Sequence, residues 1–180
     1  MNKLAQEIEK KYLIKEGRTE YATEELYRLY PSIDFLKDFV LANGEPIQQG
    51  YMPIEKGLRL ANTLGLKVDF KVEEARLRDR AGRLYFTLKG KGSISRSEIE
   101  REIDNDLFEQ YWPSTKGKRI KKIRLERKYG NQYLEIDVFT DRDLILAEVE
   151  TSSIDEMKEL PLFGLDVTAN KKYRNKNLAS

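Results

Sequence analysis

The chain has 180 residues, long enough for one domain with a hydrophobic core, and 36% of them are charged. Its 33 basic and 31 acidic residues leave a formal net charge of +2, which excludes a protein that binds nucleic acid through its bulk charge. The absence of cysteine and histidine excludes disulfides, thiolate or imidazole metal ligands and a histidine base, so a metal site must use oxygen ligands, which suit Mg²⁺ or Mn²⁺.

The first half of the chain predicts two strands and at least two short helices. Residues 54–66 fit a helix or a loop equally well, and both interpretations are kept. In chain order, the other elements predicted here are a strand over 5–15, a helix over 23–30 with Thr23 as its N-cap, a helix over 35–43 that ends at Gly44, and a strand over 47–52.

Strands dominate the second half. Residues 95–103 fit a strand or a helix, and the alternation of Glu98 and Glu100 with Ile99 favours a strand. The other predicted elements are a hairpin of strands 67–79 and 83–89, a helix over 104–112, a hairpin of strands 119–128 and 132–139, a strand over 144–150, and a helix over 153–160 capped by Ser152 or Ser153. The total is about eight strands, mostly antiparallel, in a single domain over residues 1–180.

Several of these strands carry charge on one face and apolar residues on the other. Successive strand side chains alternate sides, so Glu7-Ile8-Glu9-Lys10-Lys11, Arg76-Leu77-Arg78 and Glu148-Val149-Glu150 each have one charged face. Buried charges cost several kcal/mol each unless they are compensated. We therefore predict an α+β fold, mostly antiparallel β, in which eight strands close into a tunnel (barrel) with a charged interior that holds an anion and cations, covered by short helices.

The charged segments, taken in order, resemble the CYTH superfamily, also called triphosphate tunnel metalloenzymes. The resemblance begins with Glu7-Ile8-Glu9-Lys10-Lys11 and spans nearly the whole chain. The other matching segments are Gln49-Gly50-Tyr51, Arg76-Leu77-Arg78, Thr87-Leu88-Lys89, residues 95–100, Lys122-Ile123-Arg124, residues 135–139, Glu148-Val149-Glu150, and the tail over 163–168 and 172–179. Two stretches, 16–46 and 53–72, are longer than the family pattern leads us to expect.

The resemblance implies an interior that binds a triphosphate together with Mg²⁺ or Mn²⁺. Clustered carboxylates need a cation, and arginine and lysine suit phosphate oxygens. The metal ligands expected on this basis are Glu7, Glu9, Glu148, Glu150 and Asp137. The substrate-binding residues expected are Lys11, Arg76, Arg78, Lys89, Arg96, Lys122, Arg124 and Lys172. Supporting acids that hold the basic side chains or a second ion are Glu98, Glu100 and Glu135.

Tyr51 and Lys11 are the candidate catalytic residues. If the phenol lies beside Lys11, the lysine charge lowers the tyrosine pKa from about 10, and the pair can orient or deprotonate water. The alternative is that Tyr51 is an aromatic packing residue.

The function expected is metal-dependent hydrolysis of inorganic tripolyphosphate, with phosphate released. The alternatives are hydrolysis of thiamine triphosphate or a nucleoside triphosphate, class IV adenylyl cyclase activity, and binding of polyphosphate or nucleotide without catalysis. The chain shows neither a signal peptide nor a run of roughly 18 apolar residues that could cross a membrane. We expect a cytoplasmic protein with a small-molecule triphosphate substrate and no nucleic-acid or membrane partner, and leave a homodimer open.

Overall fold

The computed structural model describes the backbone of residues 3–92 and 94–180, and side chains from residue 8 onward within those ranges. Its strands are β1 (Lys3–Glu16), β2 (Thr19–Glu20), β3 (Glu45–Met52), β4 (Glu74–Arg80), β5 (Arg83–Lys89), β6 (Ser95–Glu102), β7 (Arg119–Tyr129), β8 (Gln132–Phe139), β9 (Leu144–Glu150) and β10 (Leu165–Asp166). Its α-helices are α1 (Glu24–Leu29), α2 (Ile33–Asn43), α3 (Ile54–Thr63), α4 (Asn105–Tyr111), α5 (Ile154–Lys158) and α6 (Asn175–Leu178), and 3-10 turns cover Trp112–Thr115 and Lys171–Tyr173.

The predicted α+β class with a mostly antiparallel sheet is confirmed. In the described part of the chain, eight strands have seven or more residues, and β2 and β10 have two each. The two ambiguous segments become the helix α3 and the strand β6. Thr23 and Ser153 occupy the predicted N-cap positions, but only the Ser153 hydroxyl caps its helix, accepting from the Glu156 N–H at 3.1 Å.

The strand predicted over 67–79 begins only at Glu74, so the prediction was wrong for residues 67–73. Val68, Phe70 and Val72 alternate as strand residues do, but they pack on the core as an irregular segment. The strand β4 starts late because its neighbour β3 ends at Met52. The ladder between β3 and β4 ends where Met52 pairs with Ala75, because Pro53 follows and has no N–H to donate.

Contacts divide the chain into two compact units. Unit 1 comprises residues up to Glu7, Ile47–Ile120 and Lys172–Ser180, and unit 2 comprises Ile8–Pro46 and Lys121–Lys171. The single domain predicted over residues 1–180 stays a prediction. No helix in the described part of the chain is long and apolar enough to span a membrane.

Unit 1 is built on the antiparallel order β3-β4-β5-β6. One face of these strands packs against α3 and α4 in a core that includes Leu60, Leu77, Phe86, Leu88 and Phe108. The turn between β4 and β5 consists of Ala81 and Gly82, which both have positive φ (50° and 87°), as a two-residue hairpin loop requires. Because Arg80 then pairs with Arg83, this turn fixes the register of the whole hairpin.

Unit 2 contains β7, β8, β9 and β1 as antiparallel neighbours, with β2 and β10 also paired to β1. One face of these strands packs against α1 and α2. The core there includes Tyr12, Leu36, Ile136, Ala147 and Phe163. In both units, packing of the apolar residues on one face leaves the alternate, charged residues on the other.

Candidate active-site faces

The face of unit 1 opposite its core carries four of the eight predicted phosphate-binding residues. Cross-strand pairing brings Tyr51 opposite Arg76, Arg76 opposite Thr87, and Thr87 opposite Glu100. We call this set the unit 1 face; its polar and charged members are Gln49, Tyr51, Glu74, Arg76, Arg78, Arg80, Arg83, Tyr85, Thr87, Lys89, Arg96, Glu98, Glu100 and Glu102.

Arg76 is the most deeply placed cation of this face, with only 4% of its surface exposed. Its Nη2 donates to the Thr87 hydroxyl at 3.2 Å and lies 3.9 Å from a Glu100 carboxylate oxygen. Among the described residues, its Nε has no hydrogen-bond partner. Burial by itself lowers the pKa of Arg76, but Tyr51 and nearby carboxylates outweigh burial and raise it, so the guanidinium stays charged.

Gln49 joins Tyr51 to Arg78. The Gln49 side chain is fully buried; its Nε2 donates to the Tyr51 hydroxyl at 2.7 Å, and its Oε1 accepts from Arg78 Nε at 3.2 Å. Since the phenol oxygen accepts from the amide, its own hydrogen must point elsewhere. Gln49 therefore sets the direction in which Tyr51 can donate.

The expectation that the Tyr51 pKa is lowered was wrong. Burial and the Glu74 carboxylate raise the pKa of Tyr51 well above its ordinary value, against the opposing charges of Arg76 and Arg78. The phenol is therefore neutral and protonated near neutral pH, where it donates a hydrogen bond and cannot act as a phenolate base.

Two further cations of this face, Lys89 and Arg96, pair with acids at moderate distances. Lys89 Nζ lies 3.5 Å from Glu98, and Arg96 Nη2 lies 3.6 Å from Glu74. Arg96 Nε also donates to the Gly90 carbonyl at 3.0 Å. Glu98 thus lies close to Lys89, and Glu100 lies close to Arg76, as acids that hold basic side chains would.

The corresponding face of unit 2 carries four of the five predicted metal ligands. Glu9 is opposite Glu150, Lys11 is opposite Glu148, and Arg124 is opposite Asp137. We call this set the unit 2 face; its charged members with described side chains are Glu9, Lys11, Lys122, Arg124, Glu126, Lys128, Glu135, Asp137, Glu148 and Glu150. The side chain of Glu7 lies outside the described residues.

Asp137 is the buried centre of this face. Its Oδ2 accepts from Lys122 Nζ at 2.7 Å and from Arg124 Nη2 at 2.8 Å, and its Oδ1 accepts from Arg124 Nε at 2.7 Å. Burial raises the pKa of Asp137, but the charges of Arg124 and Lys122 outweigh burial and lower the pKa below its usual value. Both carboxylate oxygens thus accept from cations, and the assignment of Asp137 as a metal ligand stays a prediction.

Glu135 and Glu148 share Arg124 with Asp137. Arg124 Nη1 donates to Glu135 at 2.8 Å, and Nη2 lies 3.6 Å from Glu148. Burial, followed by the neighbouring Glu148 and Asp137 charges, raises the pKa of Glu135 in spite of Arg124. Arg124 therefore contacts three acids. One of them is Glu135, which was expected to hold a basic side chain or a second ion.

Lys11 contacts the acid end of the unit 2 face. Its Nζ lies 3.3 Å from Glu148 Oε1. Its backbone is also held, because Lys11 N–H donates to the Thr168 hydroxyl and Val167 N–H donates to the Lys11 carbonyl, both at 3.0 Å. The segment around Thr168 thus positions Lys11. Thr168 belongs to the tail motif, but the motif did not predict this role.

Glu9, Glu148 and Glu150 fit the oxygen chemistry of a hard cation. Glu9 and Glu150 are directly opposite each other on β1 and β9, an arrangement that like charges disfavour. Among the described residues, however, no group of three or more acids is arranged to hold a metal ion. Mg²⁺ commonly takes only one or two carboxylates and completes its shell with water and phosphate oxygens, so the donor set is compatible with it.

The two faces carry opposite excesses of charge. Among the described side chains, the unit 1 face has six cations (Arg76, Arg78, Arg80, Arg83, Lys89, Arg96) and four carboxylates (Glu74, Glu98, Glu100, Glu102). The unit 2 face has four cations (Lys11, Lys122, Arg124, Lys128) and six carboxylates (Glu9, Glu126, Glu135, Asp137, Glu148, Glu150). The first face therefore favours an anion and the second favours a cation.

Lys172 is the predicted substrate-binding residue that stands apart from these sets. It is exposed in the second 3-10 turn, and its Nζ lies 5.0 Å from the Tyr173 ring centroid. Gln49 and Glu74 were not predicted as site residues, although Gln49 stands in a quoted motif, and Thr87 was predicted by alternation to face the interior. The signal that identifies them is strand register, since they share alternation with Tyr51, Arg76 and Lys89.

Comparison with known proteins agrees with this description. No family model matches the chain. An inorganic triphosphatase from Nitrosomonas europaea is 42% identical over 112 residues, which are 59% of this chain and 74% of that protein. The solved structure of the inorganic triphosphatase NE1496 has a TM-score of 0.53 at 30% identity, covering 96% of this chain and 93% of that chain. A proposed adenylate cyclase from Bacillus halodurans has a TM-score of 0.53 at 14% identity, covering 86% of this chain and 85% of that chain, and shows likeness of fold alone.

The fold and the two charged faces define a class of antiparallel β proteins in which one sheet face carries an excess of cations and another an excess of carboxylates. The chain belongs to the CYTH superfamily, in the branch of the bacterial inorganic triphosphatases. The predicted family is thereby confirmed. That all the predicted site residues line one shared tunnel stays a prediction.

The Asp137 cluster should dominate the acid sensitivity of the fold. Because the pKa of Asp137 is lowered on folding, its contribution to the free energy of unfolding is complete above about pH 4 and is lost as pH falls through the folded-state value. Asp137→Asn leaves two buried cations without their acid and should cost about 3–5 kcal/mol at neutral pH. Urea denaturation should show this difference from wild type shrinking in acid.

Glu135→Gln is the matched control for this experiment. Folding raises the pKa of Glu135, so ionisation of this carboxyl lowers the free energy of unfolding. That loss grows as the pH rises from the ordinary pKa of a glutamate to the raised one. The control should lose much less stability at neutral pH. Equal stability of Asp137→Asn and wild type at neutral pH would contradict the assigned role.

Proposed function

We propose that the protein hydrolyses inorganic tripolyphosphate with Mg²⁺ or Mn²⁺ and releases phosphate. The observation that carries the proposal is Arg76, a buried guanidinium whose Nε has no hydrogen-bond partner among the described residues. A buried charged donor without a partner is costly, and a phosphate oxygen is the kind of acceptor that would satisfy it. The triphosphatase relatives supply the substrate class.

The unit 1 face supplies the phosphate grip in this proposal. Arg76, Arg78 and Lys89 lie on adjacent strands, and the ion pairs described for Arg76 and Lys89 are 3.9 Å and 3.5 Å long. By contrast, Lys122 and Arg124 are bonded to Asp137 at 2.7 Å. A cation whose acid lies 3.9 Å away, as for Arg76, can turn to phosphate at a smaller cost than a tightly bonded one, so we assign the grip to Arg76 before Lys122 and Arg124.

Glu9, Glu148 and Glu150 on the unit 2 face would hold the metal ion. When bound, Mg²⁺ or Mn²⁺ neutralises charge on the phosphate oxygens and so favours departure of the leaving group. Lys11, at 3.3 Å from Glu148, would limit the repulsion between these acids before the ion arrives. Such an ion commonly completes its shell with water and phosphate oxygens, which accounts for a site with few protein ligands.

The chemical step needs position and charge more than a strong base. In phosphoryl transfer the transition state is loose, so the residues act mainly by aligning the chain and stabilising its oxygens. Water forms a bond to a terminal phosphorus as the bridging P–O bond breaks, and pyrophosphate leaves. Tyr51, held by Gln49 and protonated, would donate its hydrogen bond to a phosphoryl oxygen. This role replaces that of a water-activating base beside Lys11.

Other triphosphates and simple binding are the competing functions. A thiamine or nucleoside triphosphate would present the same phosphates to Arg76 and Arg78, and a cyclase would use a nucleotide. Phosphate release from a panel of tripolyphosphate, thiamine triphosphate and ATP separates these candidates. Binding of tripolyphosphate without phosphate release would leave the chain a binder.

Removing Arg76 should weaken tripolyphosphate binding sharply. Arg76→Gln deletes the buried charge and should raise the Kd, measured by calorimetry, roughly thirtyfold or more. Arg59→Gln is the matched control, because Arg59 is exposed on α3 of the same unit and should bind as wild type does. Unchanged affinity in Arg76→Gln, with the variant folded by circular dichroism, would end the proposed phosphate grip.

Phosphate release should depend on divalent metal. Activity should disappear in EDTA and return with Mg²⁺ or Mn²⁺, since the chain offers only oxygen ligands. Glu148→Gln should raise the metal concentration for half-maximal activity about tenfold or more, the usual scale for damage to a metal site. Glu126→Gln, an exposed acid of the same face, should leave that concentration unchanged. Full activity in chelator would exclude the metal from the mechanism.

Tyr51→Phe should lower kcat on tripolyphosphate by roughly 10²-fold, the scale for loss of one donor to a transition state. The variant keeps the aromatic ring and all the arginines and lysines of the unit 1 face, so the Kd for tripolyphosphate should change little. A variant with wild-type kcat would show that Tyr51 is a packing residue, the alternative left open by the sequence.

A further inference from the structure

The side-chain amide of Gln49 has a single orientation that satisfies both of its hydrogen bonds. Arginine has no acceptor atom, so the Gln49 atom that lies 3.2 Å from Arg78 Nε must be the carbonyl oxygen. The other end of the amide, Nε2, then lies 2.7 Å from the Tyr51 hydroxyl, and this nitrogen can only donate. The chemistry of arginine therefore decides which atom Gln49 presents to Tyr51.

The Tyr51 hydroxyl consequently keeps its own hydrogen for another acceptor. Within the part of the chain that the structure describes, this hydroxyl accepts from Gln49 Nε2 and donates to no residue. Glu74, whose charge helps to raise the pKa of the phenol, is paired instead with Arg96 Nη2 at 3.6 Å. The hydrogen of the protonated phenol is thus available to a ligand on the unit 1 face.

The backbone that carries Gln49 and Tyr51 is held from the opposite side of β3. Gly50 lies between them, and a Cβ at this position would lie only 2.5 Å from the Thr115 side chain, which is fully buried. The Tyr51 N–H also donates to the Lys118 carbonyl at 2.9 Å. Close packing and a backbone hydrogen bond therefore oppose any shift of the strand that would separate the amide from the phenol.

We propose that Gln49 is a positioning residue that directs the Tyr51 hydrogen to a phosphoryl oxygen of the substrate. The inference rests on the proposed function, because it gives Gln49 a part in the same chemical step. The hydrogen bonds run from the Arg78 guanidinium through the amide to the phenol oxygen. Hydrogen bonds in such a chain polarise one another, so the charged donor at one end makes the phenol a stronger donor at the other.

The test changes what residue 49 can donate while keeping its shape. Gln49→Glu has nearly the same volume and still accepts from Arg78, but a carboxylate has no hydrogen to donate to Tyr51. The Tyr51 hydroxyl would then donate to the introduced carboxylate instead of the substrate. Gln49→Met keeps a similar volume without either hydrogen bond, so it leaves the hydroxyl with no fixed direction.

The kcat values of the two variants should fall in the opposite order from that expected of a packing residue. If Gln49 directs Tyr51, Gln49→Glu should lower kcat on tripolyphosphate roughly 10²-fold, as Tyr51→Phe does, and Gln49→Met should lower it by a smaller factor. If Gln49 only packs and holds Arg78, Gln49→Glu should be the milder change. Gln48→Glu is the matched control, because it adds the same charge on the other side of β3 and should keep the wild-type kcat.

A double-mutant cycle with Tyr51→Phe separates hydrogen-bond direction from every other effect of these substitutions. In the Tyr51→Phe background no hydroxyl is present, so Gln49→Glu and Gln49→Met should each lower kcat by less than about twofold. A structural or purely electrostatic role predicts the same factor in both backgrounds. Circular dichroism shows which variants are folded, and Gln49→Met carries the cycle if Gln49→Glu does not fold.

A spectroscopic measurement tests the direction of the hydrogen bond without substrate. In protein labelled with an NMR-active carbon at the tyrosine Cζ, the resonance of Tyr51 is the one that Tyr51→Phe removes. Gln49→Glu should move this resonance towards that of an ionised tyrosine, because donation to a carboxylate draws the hydrogen away from the phenol oxygen. Gln48→Glu should leave the resonance in place.

The outcomes separate this inference from the proposed function. No phosphate release from tripolyphosphate by wild type, with Mg²⁺ or Mn²⁺, would overturn the proposed function and the positioning role together. Phosphate release by wild type, with an equal loss of kcat in both Tyr51 backgrounds, would overturn the positioning role alone. A Tyr51 resonance that stays in place in folded Gln49→Glu would also overturn it.

Discussion

The alternation of side chains along antiparallel strands is the constraint on which the rest of this structure depends. In each unit one strand face is covered by helices, with Leu77 and Phe86 buried in unit 1 and Ile136 and Ala147 buried in unit 2. Because the side-chain period is two, burying those residues forces their neighbours in sequence onto the opposite face. A slip of one residue would bury the charges and expose the core, so the apolar packing specifies the charged faces.

The two faces use their charges differently. On the unit 2 face, Asp137 lies between Lys122 and Arg124 with short, charge-assisted bonds, and its removal would leave two buried cations uncompensated. On the unit 1 face, the buried Arg76 meets its acid at 3.9 Å. The first arrangement gives rigidity and the second leaves capacity for a ligand. This division, together with the opposite charge excesses, is the physical basis of our proposal that one face holds an anion and the other a cation.

Sequence alternation could predict which residues are charged on a face, but not which of them bind one another. Alternation places Asp137 on the charged face, but only the structure shows its three short bonds to Lys122 and Arg124. Tyr51 was expected to have a lowered pKa, whereas its hydroxyl accepts from Gln49 of the same motif and burial raises its pKa, which no spacing reports. Lys172 matched the tail motif and lies on an exposed turn.

The sequence by itself determined the family, the α+β class and most strand limits, because these follow from local alternation, turn residues and motif order. It also determined that any metal ligand must be oxygen, since cysteine and histidine are absent. Tertiary structure decided where strand pairing ends, as in residues 67–73, whose apolar alternation meets no continuation of β3. It also decided the register that sets Arg80 against Arg83 and the distances that separate tight from loose ion pairs. These depend on contacts between residues far apart in the chain, and local sequence carries no measure of such distances.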